Sequence, residues 1–370
     1  MSVILKLKYF LPSSVIPHHS LQSLLVNVRS TVKSFTLHHS TVTSSETKKN
    51  DQKLRIMFFG TDSFAVESLA RLHQELLADA GCVSRLEVSC LLMKTLVPAV
   101  TQFAQKHNLN VHAWPPDLDH ISNNFDLGVV ASFGKLIPRH VIQAFPRGII
   151  NVHGSLLPRW RGAAPVIHAL KNGDTKTGIT IMKIKAHKFD VGEMLSAREV
   201  DIDEDITRPE LTDKLAGVGA ELLLEVIRDY DTFEKEAKQQ DDADMTLAPL
   251  FDKSEAVIDW CNMTNIQVYN LWRAVGDLTK LRTVFQATGL DVRIATILHP
   301  RCLEGADLDP EAESGTVVFI RRSKKSKYVC VKCSEGWVAI SDIYYHNKKV
   351  MKPIDFYNGL LSRPGSHRFC

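Results

Sequence analysis

Apolar positions between residues 54 and 227 fall into short runs that alternate with stretches of helical spacing. Residues 54–59 (LRIMFF) end at Gly60-Thr61, after which Phe64, Leu69, Leu72 and Leu76 recur at the helical period, predicting a strand, a tight turn and a helix over 64–77. Further strands are predicted at 86–93, 110–113, 125–132, 148–152 and 177–184, and helices at 97–107, 138–144, 165–171 and 211–227. Runs that are apolar throughout are buried on both faces, so this order predicts an α/β domain with a doubly wound, mainly parallel sheet. Ligands of such sheets sit beyond the carboxyl ends of the strands.

The stretch 231–244 (DTFEKEAKQQDDAD) loses aliphatics and gains charge, which marks a linker. The domains expected are therefore a catalytic one over 51–230, a linker over 231–250 and a second domain over 251–370. In the last, a helix at 264–275 precedes short runs of period-two character at 292–298, 315–320, 328–333 and 337–344, with turn signals at Glu304-Gly305 and Glu335-Gly336. That texture predicts a small five-stranded β-barrel of oligonucleotide-binding (OB-like) type.

With 44% hydrophobic and 24% charged residues, 370 in all, the chain has material for two cores and is neither collagen-like nor wholly disordered. No apolar run reaches the roughly 18 residues a spanning helix needs, so a soluble protein without a membrane partner is expected. The seven cysteines are odd in number and irregularly spaced, which predicts reduced thiols. Charge is distributed unevenly. Residues 1–45 carry Lys6, Lys8, Arg29 and Lys33, no acid, ten Ser and four Thr, which predicts a disordered organelle transit peptide over 1–50. A disordered translation artefact has the same composition. Residues 314–370 hold eleven Lys or Arg against three acids, with Tyr328, Trp337, Tyr344 and Tyr345 among them. Basic charge neutralises phosphates and aromatic faces stack on bases, so this region suits RNA; a solvated hairpin tip is the plainer alternative.

The densest polar constellation is Asn151-Val152-His153-Gly154-Ser155 at the end of a β-run. Residues 151 and 153 share a strand face, so an amide and an imidazole emerge together where they can hold a developing oxyanion. Asp190, in Phe189-Asp190-Val191-Gly192, can reach the same edge from the neighbouring strand. Amide, imidazole and carboxylate make an acyl-transfer kit with no nucleophile of its own, so the attacking group belongs to the substrate. Taken singly, an Asn or His after a strand is more often a turn or capping residue, and an Asp before Val-Gly more often closes a loop. A serine hydrolase using Ser155 would need a second glycine that Gly154-Ser155-Leu156-Leu157 lacks. No metal is expected, because Asn is a poor zinc ligand and the lone Cys330/Cys333 pair would point to opposite faces of a strand.

Residues 151–165 (NVHGSLLPRWRGAAP), with Gly178-Ile179-Thr180-Ile181-Met182 and Asp190-Val191-Gly192, resemble the signature of the 10-formyltetrahydrofolate-dependent formyltransferases. The opening strand with Gly-Thr and Phe64 matches too, and the family's C-terminal barrel is matched more loosely from Ile258-Asp259-Trp260 to residues 355–359. The resemblance implies a Rossmann-like catalytic domain that carries formyl from N10 of the co-substrate 10-formyltetrahydrofolate to the α-amine of methionine charged on initiator tRNA. By matched position, Asn151 and His153 would bind the formyl oxygen, and Asp190 would hold His153 protonated and assist proton removal. Phe133, Gly134 and Ile137 resemble part of the pterin pocket, and Ser155, Leu156, Leu157 and Pro158 its folate-site loop. The tRNA contacts implied are Lys94 and the basic group Arg321, Arg322, Lys324, Lys325 and Lys327. A monomer in the mitochondrial matrix is expected.

Two departures stand out. Residues 185–189 (KAHKF), before Asp190, are one residue longer than the common bacterial form and lack its acid and glycine. After Lys94, residues 95–98 (TLVP) replace the basic, glycine- or proline-rich loop that the family usually carries toward the tRNA acceptor stem. A sugar-nucleotide formyltransferase and an RNA-binding protein with an inactive folate domain are the alternative readings.

Overall fold

The computed structural model describes residues 53–91, 97–345, 350–365 and 367–370. The expected transit peptide and Lys94 lie outside the described residues.

The first domain runs β1 (Leu54–Gly60), α1 (Ser63–Leu77), β2 (Val83–Cys90), α2 (Ala99–Lys106), β3 (Val111–Ala113), α3 (Leu118–Asn124), β4 (Leu127–Ala131), α4 (Arg139–Gln143), β5 (Ile149–His153), α5 (Pro165–Lys171), β6 (Lys176–Lys183), β7 (Met194–Asp201), α6 (Arg208–Arg228) and α7 (Tyr230–Lys235). Its seven-stranded sheet has the order β3-β2-β1-β4-β5-β6-β7. The first five strands are parallel, and β6 and β7 are antiparallel. Alternate residues of β1 enter different cores, Ile56 and Phe58 on one face and Met57 and Phe59 on the other. This two-sided burial is what the unbroken apolar run encodes.

Two elements escape the hydrophobic pattern. α3 (LDHISNN) buries only Ile121, too little for a helical period to show. β7 (MLSAREVD) alternates buried and exposed positions at the sheet edge, so it carries charges where a central strand would be apolar.

The second domain has α8 (Asn265–Val275), started by a capping box in which the Thr264 hydroxyl accepts from Gln267 N–H while the Gln267 side chain accepts from Thr264 N–H. There follow β8 (Leu281–Phe285), β9 (Leu290–Leu298), β10 (Val317–Arg321), β11 (Lys327–Lys332), β12 (Trp337–Tyr345), β13 (Val350–Met351) and α9 (Pro353–Phe356). The antiparallel order is β10-β11-β12-β9-β8, with β13 on β12. The last residues of the chain span from β8 to β10. Cys370 and Val284 exchange both backbone hydrogen bonds at 2.9 and 3.1 Å, and Val317 N–H donates to His367 O at 2.9 Å. The tail thereby pairs both open edges of the sheet. The domains share one hydrophobic cluster, and α8 packs on α5 and α6. The buried Arg273 donates to Asp203 O at 3.1 Å, and Arg208 pairs with Asp277.

The stretch expected as a linker carries α7 and then lies along the first domain as a strap. Lys238 exchanges backbone hydrogen bonds with Met194 at 2.8 and 2.9 Å. Thr246 O accepts from Arg161 N–H at 2.9 Å, and Ala248 N–H donates to Arg161 O at 2.7 Å. Charge in this segment reads as solvated linker in sequence. In the structure, side chains such as Asp231, paired with Arg147, and Glu234, 2.7 Å from Lys183, are turned onto the domain instead.

Candidate active site

Asn151 and His153 stand on one face of β5, as their spacing requires. The strand beside them, β6, is antiparallel, with Asn151 opposite Met182 and His153 opposite Thr180. Asp190 therefore arrives not from the end of a parallel neighbour but from the hairpin between β6 and β7, which folds back over that face. Asp190 Oδ1 lies 3.4 Å from Asn151 Nδ2 and 3.7 Å from His153 Nδ1. Its Oδ2 accepts from Gly162 N–H at 3.0 Å. His153 is buried, and its Nε2 faces the Trp160 carbonyl at 3.0 Å. A carbonyl oxygen only accepts, so Nε2 carries a proton there and Nδ1 is left facing the carboxylate.

Two glycines make this approach possible. A Cβ on Gly192 would stand 1.6 Å from Lys183 O, so the hairpin can close only without a side chain. Gly162 has φ +132° and passes so close under the strap that a Cβ would meet Ala248 O at 2.4 Å. Asp190 itself is left-handed at φ +52°, a conformation that costs an ordinary L-residue about 1–2 kcal/mol.

The loop after His153 is tied down throughout. The buried Ser155 hydroxyl donates to Arg159 O at 2.7 Å, and the Thr180 hydroxyl donates to Ser155 O at 2.7 Å while accepting from Leu157 N–H at 3.1 Å. Ser155 and Leu157 thus hold the loop with these groups, and the half-buried Leu156 and Pro158 line a surface groove with Arg159 and Asp174. Phe133 and Ile137 are packed into the core with Phe59 and Phe145, which leaves backbone as what they can offer a ligand. Ser132, Gly134, Lys135 and Leu136 are the exposed members of that turn, and Gly134, at φ +72°, has open space around it.

Arg161, Gln240 and the Gly162 N–H are parts of the site to which the motif assigns no role. Arg161 Nε and Nη2 donate to Gln240 Oε1 at 2.9 and 2.7 Å, and Gln240 Nε2 donates to Asp190 O and Gly192 O at 3.0 and 2.9 Å. Arg161 lies within the 151–165 signature. Gln240 gives no signal in sequence, being one amide in a charged stretch.

Among the described residues, Glu87, His112 and His120 are the group whose atoms come within 4.8 Å of one another as metal ligands would. The carboxylate is already shared by His112 Nε2 at 2.6 Å, His120 Nε2 at 3.2 Å, Arg85 at 2.7 Å and Asn110 at 3.3 Å. Burial opposes its charge, but those donors outweigh burial and hold the carboxyl at about 2. This is a satisfied ion cluster beside β3. Cys330 and Cys333 lie in different hydrophobic clusters, as their odd spacing requires, and burial pushes both thiols to about 12.

The basic segment forms the β10–β11 hairpin. Arg321, Lys324 and Lys325 are exposed and Lys327 half-buried, and none of the four forms an ion pair among the described residues. Arg322 differs from them: its guanidinium donates to Cys302 O at 2.5 Å and Glu304 O at 2.7 Å, bracing the preceding loop.

A domain built on a mainly parallel sheet, with Asn151, His153 and Asp190 gathered at one strand end, precedes an antiparallel β domain, and the two match two family models. Residues 52–227 match Formyl transferase, and residues 251–361 match Formyl transferase, C-terminal domain. The chain belongs to the formyl transferase family and is a formyl-transferring enzyme. Within it, the chain is 37% identical over 317 residues to the mitochondrial methionyl-tRNA formyltransferase of Homo sapiens, covering 83% of this chain and 78% of that one. It is 33% identical to the methionyl-tRNA formyltransferase of Acetivibrio thermocellus, covering 83% and 96%. Solved structures show the same fold. HypX from Aquifex aeolicus has a TM-score of 0.53 at 15% identity, over 85% of this chain and 49% of that one. The sugar 3N-formyl transferase WlaRD has 0.53 at 17%, over 80% and 100%.

Proposed function

We propose that this enzyme transfers the formyl group of 10-formyltetrahydrofolate to the α-amine of methionyl-tRNA, and that it does so in mitochondria. The observation that carries the reading is the convergence of Asn151, His153 and Asp190 within a chain a third identical to enzymes so named. The mitochondrial relatives and the acid-free basic start support the location, and import into the matrix follows from that reading.

In the mechanism, Asn151 Nδ2 and His153 Nδ1, the ring nitrogen not engaged by the Trp160 carbonyl, donate to the formyl oxygen as it becomes an oxyanion. Asp190 Oδ1 faces both donors, and its carboxylate takes a proton from the substrate ammonium, which leaves the free amine to attack. The amine nitrogen bonds to the formyl carbon, the bond from that carbon to N10 breaks, and N10 takes up the second proton, the one the attacking nitrogen loses as it becomes an amide. Tetrahydrofolate and the formylated aminoacyl-tRNA are the products. The turns at 132–137 and 154–158 edge the same end of the sheet and offer backbone groups and Gly134 to the folate. The hairpin cations Arg321, Lys324, Lys325 and Lys327 bind phosphates of the tRNA. No helix among the described residues is long and apolar enough to cross a membrane, and the enzyme acts as a monomer on its two substrates.

Incubation with 10-formyltetrahydrofolate and charged initiator tRNA should yield formylmethionyl-tRNA. Formylation of a sugar-nucleotide amine in preference, or binding of tRNA with no transfer, would replace this reading.

A further inference from the structure

We propose that Gln240, anchored by Arg161, is a positioning residue for the Asp190 carboxylate, so that the strap between the two domains belongs to the catalytic apparatus; the proposal rests on the formyl-transfer reading above. The carboxylate of Asp190 sits on a left-handed residue in a hairpin turn, a place where the backbone keeps its path only if the surroundings dictate it. Two groups hold it. Gln240 Nε2 commits both protons to carbonyls two residues apart, Asp190 O at 3.0 Å and Gly192 O at 2.9 Å. Gly162 N–H holds Oδ2 at 3.0 Å from the other side.

The orientation of the Gln240 amide is itself determined. Arg161 offers only donors, at 2.9 and 2.7 Å, so the oxygen must face it and the nitrogen must face the hairpin. Arg161 is buried, pairs with Asp242 at 2.7 Å, and has its backbone N–H and C=O bonded to Thr246 and Ala248. The strap therefore supplies the amide, the counter-charge and the backbone partners of the residue next to Gly162. Both holders of Asp190 hang from it. Asn151 and His153 are 3.4 and 3.7 Å from Oδ1, distances at which a shift of the hairpin by about 1 Å either closes or breaks the contact.

The test separates anchoring from bulk. Gln240→Glu keeps the length and the acceptor for Arg161 but has no N–H for the two carbonyls; Gln240→Met keeps the volume and has neither. Both should lower kcat of formylation about 10- to 100-fold, the range expected for a misplaced group, with KM for folate and for charged tRNA little changed. In an Asp190→Ala background, Gln240→Glu should cost nothing further. Hydrogen exchange over residues 185–192, measured without substrate, should speed up in both variants.

A folded variant with normal kcat, or a loss confined to KM or to thermal stability, would overturn the proposal. If Gln240→Glu fails to fold, Gln240→Met is judged by the same criteria. Should the native enzyme not formylate methionyl-tRNA, the functional reading falls, while the exchange measurement still decides whether Gln240 holds the hairpin.

Discussion

The candidate catalytic face of the first domain and the basic hairpin of the barrel use polar side chains in opposite ways. Around Asp190, the amides of Asn151 and Gln240 and the guanidinium of Arg161 already have partners within the protein, and the residues sit on a strand, beneath a strap and against a tied loop. On the hairpin, Arg321, Lys324, Lys325 and Lys327 have no ion-pair partner among the described residues. Chemistry on a formyl carbon requires donors placed to a fraction of an ångström, which only satisfied and packed groups keep. Attraction to a polyanion acts over a Debye length of about 8–10 Å and tolerates loose geometry, so its cations can remain on exposed chains. Arg322, in the hairpin but bonded like a residue of the active site, is the exception that sharpens the contrast.

The contrast is tested hardest at its catalytic end. Asn151→Ala should lower turnover about 100- to 1,000-fold, and His153→Ala and Asp190→Ala by as much or more, with folate affinity less affected. The double variant His153→Ala with Asp190→Ala should be little worse than His153→Ala, because the groups act as a unit. Single-turnover formylation with each folded variant is the measurement. Near-normal rates for Asp190→Ala would remove the carboxylate from the site.

A smaller effect is expected when Arg321, Lys324, Lys325 and Lys327 are all changed to Ala. Binding of tRNA should weaken, and its dependence on log salt should flatten by roughly 0.7 to 0.9 for each phosphate no longer neutralised, with folate affinity intact. An unchanged salt slope would place the RNA on another surface.

Arg322→Ala should behave otherwise. Removing two charged hydrogen bonds to the 302–304 loop should cost about 1 kcal/mol in a denaturation curve. The salt slope should stay close to that of the native protein, and a drop equal to that of its neighbours would erase the distinction between bracing and binding cations.

The smallest effect concerns pH and lies away from both regions. Glu87 titrates at about 2 in the folded protein against an ordinary 4.5, so its stabilising contribution is complete above 4.5 and is lost as pH falls from there toward 2. Glu87→Gln should therefore flatten the stability profile across that acid window while leaving formylation at neutral pH alone. A profile unchanged by the substitution would mean that other carboxylates govern acid unfolding.

Much of the fold is legible in the sequence because burial on two faces writes itself as unbroken apolar runs. The five parallel strands and α1, α2, α4, α5 and α6 all lie within a few residues of where periodicity puts them. The edge strand β7 and the short α3 are not legible, since a half-exposed strand and a helix with one buried side chain leave no such mark. After residue 230 the composition changes visibly, yet the same charged residues conceal a segment that packs. Charge predicts solvation only when no partner stands opposite, and the partners, Arg147 and Lys183, are more than 50 positions away in sequence.

By itself, the order of residues specified which side chains share a strand face, which turn needs glycine, and where amide and imidazole meet, because these follow from periods of two and 3.6 along a local backbone. Tertiary structure alone decided that β6 runs antiparallel and that its hairpin folds back to bring Asp190 to His153. It also decided that Gln240 faces Arg161, that Arg322 braces a loop while its neighbours do not, and that His367 to Cys370 closes the barrel. Each is a contact between segments separated in the chain, set by which donors and acceptors the fold brings face to face, and no local pattern carries that information.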